Sequence, residues 1–96
     1  MTRIEAQGGG RPFIAMAKNI SLTGMLIQTA DPVPEGEVVR LKFLLAGSER
    51  EIRASGTVQH VSPQQFMGVR FNHLESSDAE AIKQFVESLD DELPQL

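Results

Sequence analysis

Apolar and polar residues alternate along most of this chain. The clearest case runs from Glu37 to Leu45. Val39, Leu41, Phe43 and Leu45 share one face there; Val38, Arg40, Lys42 and Leu44 share the other. Successive side chains of a strand point to opposite faces, so this predicts a half-buried antiparallel strand. Arg50–Val61 alternates too, with Ile52, Ala54, Gly56, Val58 and His60 against Arg53, Ser55, Thr57, Gln59 and Val61. Gly56 marks a bulge or a close backbone approach. Phe66–Phe71 places Met67, Val69 and Phe71 together. Phe13–Ile20 alternates and reads as a strand running into the turn that follows: Ile14, Met16, Lys18 and Ile20 oppose Phe13, Ala15 and Ala17, and Lys18 spoils the first set near its end. Thr2–Ala6, with Ile4 as its apolar member, and Met25–Thr29 complete the predicted strands.

The period then changes. Ile82, Phe85, Val86 and Leu89 follow i, i+3, i+4, i+7 and make one helical stripe. Ser77 and Glu80 form a capping-box pattern, with Ser77 as N-cap and Glu80 at N3. The acidic run Asp90-Asp91-Glu92 opposes the helix dipole and is expected to end the helix, with Pro94 as a further stop.

Turn chemistry separates these elements. Gln7-Gly8-Gly9-Gly10 suits a hairpin turn. It does not suit a phosphate loop, since no Lys-Ser/Thr follows and no helix opens there. Asp31-Pro32-Val33-Pro34-Glu35-Gly36 reads as a loop, Ala46-Gly47-Ser48 as a turn, and Ser62-Pro63-Gln64-Gln65 as a turn. The expectation is an all-β fold with one C-terminal helix, a small six-stranded antiparallel β-barrel. The barrel spans about 2–73 and the helix about 77–90, in a single domain over 1–96, and the helix lies across an end or seam.

Composition narrows the function. The 96 residues carry a net charge of −4 with a pI near 5.0, which argues against a DNA or RNA binder with its usual basic face. There is no cysteine, hence no disulfide, thiolate metal site or cysteine nucleophile. No apolar run reaches the ~20 residues that span a bilayer. The N-terminal residues lack the basic-then-apolar layout of a secretory signal. A cytoplasmic protein without membrane insertion is expected. Catalysis finds little support. His60 and His73 are thirteen residues apart without metal-ligand spacing. Ser21 lacks the G-x-S-x-G elbow, and the terminal acidic run reads as a solvated end. No catalytic residue, metal site or cofactor is expected.

The stretch Asn19-Ile20-Ser21-Leu22-Thr23-Gly24 supports two readings. As structure, Asn19 closes an Asx-type turn, Ser21 does so more weakly, and Gly24 takes a left-handed conformation. As function, the Asn amide and Ser hydroxyl reach outward to a base or phosphate. Asn19-x-Ser21-x-x-Gly24 resembles the [D/N]-x-S-x-x-G signature of PilZ domains. Further residues follow that family in order: Gly24-Met25-Leu26-Ile27, Pro34 through Phe43, Ala54-Ser55-Gly56-Thr57-Val58 and Met67-Gly68-Val69-Arg70-Phe71. The resemblance covers roughly residues 2–89. It implies a six-stranded barrel that, in many members, binds the bacterial second messenger cyclic di-GMP.

The resemblance also implies a second half of the site, an R-x-x-x-R motif some 20–30 residues earlier. Eighteen residues precede Asn19 here, and their arginines, Arg3 and Arg11, are spaced eight apart. The implied ligand residues are therefore Asn19, Ser21 and Gly24, with Arg3 or Arg11 assisting in an incomplete site. Two versions of a non-enzymatic bacterial signalling domain follow: a cyclic di-GMP receptor, or an adaptor that binds a protein partner without nucleotide. A third reading is a structural barrel that self-assembles into an oligomer through Val38, Leu44 and Val61.

Overall fold

The computed structural model describes residues 2–45 and 50–92. The turn expected at Ala46-Gly47-Ser48 and the stop at Pro94 lie outside the described residues. Six strands occur in chain order: β1 (Thr2–Gly8), β2 (Arg11–Ile20), β3 (Gly24–Gln28), β4 (Val38–Leu44), β5 (Glu51–Val61) and β6 (Phe66–His73). One helix follows, α1 (Ser76–Glu92). The strands close into an antiparallel barrel in the order β1-β2-β3-β6-β5-β4. Closure comes from β1, which pairs with β2 on one side and with β4 on the other, through Ile4↔Phe43 and Ala6↔Leu41. A closed barrel leaves no unpaired sheet edge.

The inward faces supply the core. Ile4, Ile27, Val39, Ile52, Val58 and Met67 are fully buried, and Phe13, Leu41, Phe43 and Val69 join them. In β2 the buried face is that of Phe13 and Ala15, and Ile14 is 48% exposed. The register of β2 against β3 shifts between Ala17 and Asn19. Lys18 is the extra residue of this bulge. Beyond it the alternation inverts, so Ile20 turns inward opposite buried Met25 while Asn19 turns out. A second shift, between Val58 and His60, inserts Gln59 into β5. It sends His60 to the surface, off the face of Ile52 that simple alternation predicts, and draws Val61 partly into the core.

The antiparallel order puts the β2–β3 turn and the start of α1 at the same end of the barrel. The 31–36 loop closes the other end: Val33 is buried there, and its N–H donates to the Met67 sulfur at 3.2 Å. Helix α1 packs by Ile82, fully buried, with Phe85 and Val86 against the same core. Arg50 fastens its first turn, donating to Ser77 Oγ at 2.6 Å and Asp78 Oδ1 at 2.8 Å.

Two expectations about the helix need correction. The Ala79 N–H donates to the Glu75 carbonyl at 2.9 Å, so Glu75 occupies the N-cap position. Ser77 lies inside the first turn, and its hydroxyl accepts from Arg50. The helix also runs through Asp90 and Asp91 to Glu92. Each unfavourable charge–dipole term is only ~0.3–1 kcal/mol, too small to impose an earlier stop.

Glycine has a packing role at Gly24 and Gly56. A Cβ on Gly24 would collide with the Val69 carbonyl oxygen, and one on Gly56 would lie 2.7 Å from the Arg70 carbonyl oxygen. Both glycines let neighbouring strands approach the backbone of β6 closely. The left-handed conformation expected at Gly24 does not occur; among the described residues the glycines with positive φ are Gly9, Gly10 and Gly36. Gly24→Ala is expected to lower stability by about 1–3 kcal/mol or more, because the obstacle is backbone. Ile82→Ala is expected to cost about 2–5 kcal/mol. Denaturant midpoints of the two variants check both; unchanged midpoints would contradict the packing described.

Candidate functional site

The β2–β3 connection is held by its own hydroxyls. The Ser21 N–H donates to the Gly24 carbonyl at 2.9 Å. Ser21 Oγ accepts from the Thr23 N–H at 3.2 Å and lies 3.1 Å from Thr23 Oγ1. The turn is tied to the barrel by the Phe71 N–H, which donates to the Thr23 carbonyl at 2.9 Å. Ser21 is therefore the residue that closes the turn, reversing the expected order of Asn19 and Ser21. The exposed Asn19 amide makes no hydrogen bond among the described residues and stands outward, available to a ligand.

Beside this turn lies an open depression of about 530 Å³. Asn19, Ser21 and Gly24 line it from one side, with Leu26 on its floor; Gly68 and Arg70 line it from β6. These residues meet through the register. Gly24 pairs with Arg70 and Leu26 with Gly68, while Asn19 pairs with Leu26. Three of the five expected site residues thus come together on one surface.

The other two do not join them. Arg11 begins β2, eight residues before Asn19, about 26 Å away at ~3.3 Å per residue. It sits beside the exposed carboxylate of Asp31 at 3.4 Å. Arg3 pairs with Met16 and lines a different depression with Glu5, Lys42, Leu44 and Glu51.

Arg70 was not among the expected site residues. It is exposed, opposite Gly24, and makes no hydrogen bond or ion pair among the described residues. Its only sequence signal is an arginine at an outward position of an alternating strand, a common surface feature. The described lining holds this one guanidinium and no carboxylate, so the depression is locally positive although the chain is net negative. The bulge residue Lys18 is not part of this lining; its ammonium lies 5.8 Å from the Phe66 ring centre.

The donors and acceptors on this surface are of the kind that can bind a polar anion. His73 lies 3.3 Å from Glu75, but both are about three-quarters exposed. Among the described residues no group of three His, Cys, Asp or Glu could hold a metal ion. No described helix is long and apolar enough to cross a membrane.

Comparison with known proteins bears on this arrangement. None of the curated proteins is significantly similar in sequence. Among solved structures, the Bacillus subtilis inhibitor of motility MotI/DgrA superposes with a TM-score of 0.78 at 17% identity, over 97% of this chain. This chain spans 49% of that protein. The PilZ domain of CeSA from a cellulose-synthesizing bacterium gives a TM-score of 0.67 at 12% identity, covering 94% of each chain. At these identities the likeness speaks for the fold. The sequence itself matches the profile of the PilZ domain over residues 1–88. With that match, the closed six-stranded barrel and Asn19-x-Ser21-x-x-Gly24 at a strand junction, the chain belongs to the PilZ domain family.

Proposed function

We propose that this chain is a non-enzymatic bacterial signalling domain that receives cyclic di-GMP at the Asn19–Gly24 turn and passes the signal to a protein partner. The observation that carries the reading is the unengaged, outward Asn19 amide on a depression whose described lining has no carboxylate. A cyclic dinucleotide brings two phosphates and two bases rich in hydrogen-bonding groups. Asn19 and Ser21 offer complementary donors and acceptors, and Gly24 lets the turn lie low against β6. The family membership and the regulatory role of MotI/DgrA as an inhibitor of motility support a signalling assignment. A cytoplasmic location follows from the same reading.

Arg3 and Arg11 are expected to add little to the affinity. Arg3 and Arg11 lie away from the turn, so the paired guanidinium groups of the family's second motif are not supplied by them. Hydrogen bonds to charged groups contribute ~1.5–3 kcal/mol each, so the two contacts that Arg3 and Arg11 do not make correspond to about two decades or more of affinity.

The self-assembling barrel receives less support. Val38 and Leu44 are 55% and 50% exposed, yet they sit at opposite ends of β4 with Arg40 and Lys42 between them. Val61 packs partly into the core.

Calorimetric titration with cyclic di-GMP tests the proposal. Binding is expected, and Asn19→Ala is expected to weaken it about threefold to tenfold, the net value of one hydrogen bond. Ser21→Ala is expected to weaken it further, because it also releases the Thr23 N–H and loosens the turn. No heat at high micromolar protein would overturn the receptor reading. Binding unaffected by either substitution would move the site away from the turn.

A further inference from the structure

Gly68, in β6 itself, differs from Gly24 and Gly56, which face the β6 backbone. A Cβ at Gly68 would meet only the His60 Cβ, at an ordinary 3.9 Å, and its φ is not positive. The fold therefore does not require glycine there. Its effect lies on the outer surface. The bulges at Lys18 and Gln59 align Asn19, Leu26, Gly68 and His60 in one row across four strands. A side chain at position 68 would stand in the middle of that row. Without one, the depression has a bare backbone floor between Leu26 and His60.

Arg70 stands at the edge of this floor. It is two residues along β6 from Gly68, on the same face, about 7 Å away along the strand. Its guanidinium has no partner among the described residues. Arg11 and Arg53, by contrast, are paired with Asp31 and Glu51. A flat floor of strand backbone accepts a planar ring. A guanidinium at the ring's edge matches the two adjacent acceptors of guanine, O6 and N7, by its planar fork. Adenine offers a donor in place of the O6 acceptor and does not satisfy the same fork.

We infer that Gly68 and Arg70 form a guanine subsite, in which the base lies on the Gly68 backbone and Arg70 reads its O6/N7 edge. This rests on the receptor reading and deepens it. The turn holds one part of the nucleotide, and β6 supplies an arginine that selects the base. Gly68 and Arg70 are adjacent in sequence to Val69, the residue whose carbonyl restricts Gly24, so turn and subsite are fixed to the same stretch of backbone.

The test compares cyclic di-GMP and cyclic di-AMP binding by calorimetry for the unaltered chain and for Arg70→Ala, Arg70→Lys and Gly68→Leu. Melting curves accompany each variant. Preference for the guanine ligand is expected in the unaltered chain. Arg70→Ala is expected to weaken cyclic di-GMP binding about tenfold to a hundredfold and to remove the preference over cyclic di-AMP. Arg70→Lys keeps the charge but loses the fork, so some affinity returns without the preference. Gly68→Leu is expected to block both ligands at an unchanged melting temperature. If Gly68→Leu does not fold, Arg70→Ala and Arg70→Lys, at an exposed position, still decide. Binding that depends on Asn19 and Ser21 but not on Arg70 or Gly68 overturns this subsite and leaves the receptor reading standing. Equal affinity for the two ligands in the unaltered chain overturns base selection by Arg70. Absence of any binding overturns both readings together.

Discussion

The close approach of β3 to β6 at Gly24 and Val69 is the constraint on which the rest of the structure depends. The Val69 carbonyl occupies the space a Cβ on Gly24 would need. That contact lets β3 leave the turn flush against β6, and the Phe71 N–H then holds the Thr23 carbonyl at 2.9 Å. Glycine in the Asn19-x-Ser21-x-x-Gly24 pattern thus serves packing. The spacing follows: the turn must be short enough for Ser21 to bond across to Gly24, and Asn19 must stay on the outer side of β2.

Much of the fold was legible because the side-chain period is simple. Val39, Leu41 and Phe43 fill the core as their alternation predicts, and Ile82, Phe85 and Val86 face it from the helix. The departures have identifiable causes. One extra residue in a strand inverts every later position, and neither Lys18 nor Gln59 carries a local sign of being that residue. The β2 pattern had apolar residues on both faces, and only closure of the barrel through β1 and β4 makes the Phe13 face the inner one. Ser77 fits a capping box by spacing, but Arg50, the residue before β5, engages its hydroxyl instead. Such a contact is invisible to a local pattern.

The site was half legible for the same reason. Asn19, Ser21 and Gly24 lie within six residues, so spacing alone brings them together. Arg70 arrives through the pairing of β3 with β6, which no local pattern encodes. The net charge of −4 was also a poor guide to this surface. Net charge describes the far field; a ligand in contact responds to the groups lining its site. Acidic residues elsewhere, such as Glu5 and Glu51, are engaged with Lys42 on the β1–β4–β5 face. The polar side chains in the described lining of the depression beside the turn are the Arg70 guanidinium, the amides of Asn19 and Gln59 and the hydroxyls of Ser21 and Thr23.

The central claim is that the turn and β6 form one nucleotide-binding surface. Backbone amide chemical shifts, followed by NMR as cyclic di-GMP is added, test it most directly. The account predicts that the shifts concentrate at residues 19–24 and 68–70. Shifts centred instead on the Arg3, Arg40 and Arg53 face, with the turn unperturbed, would contradict it.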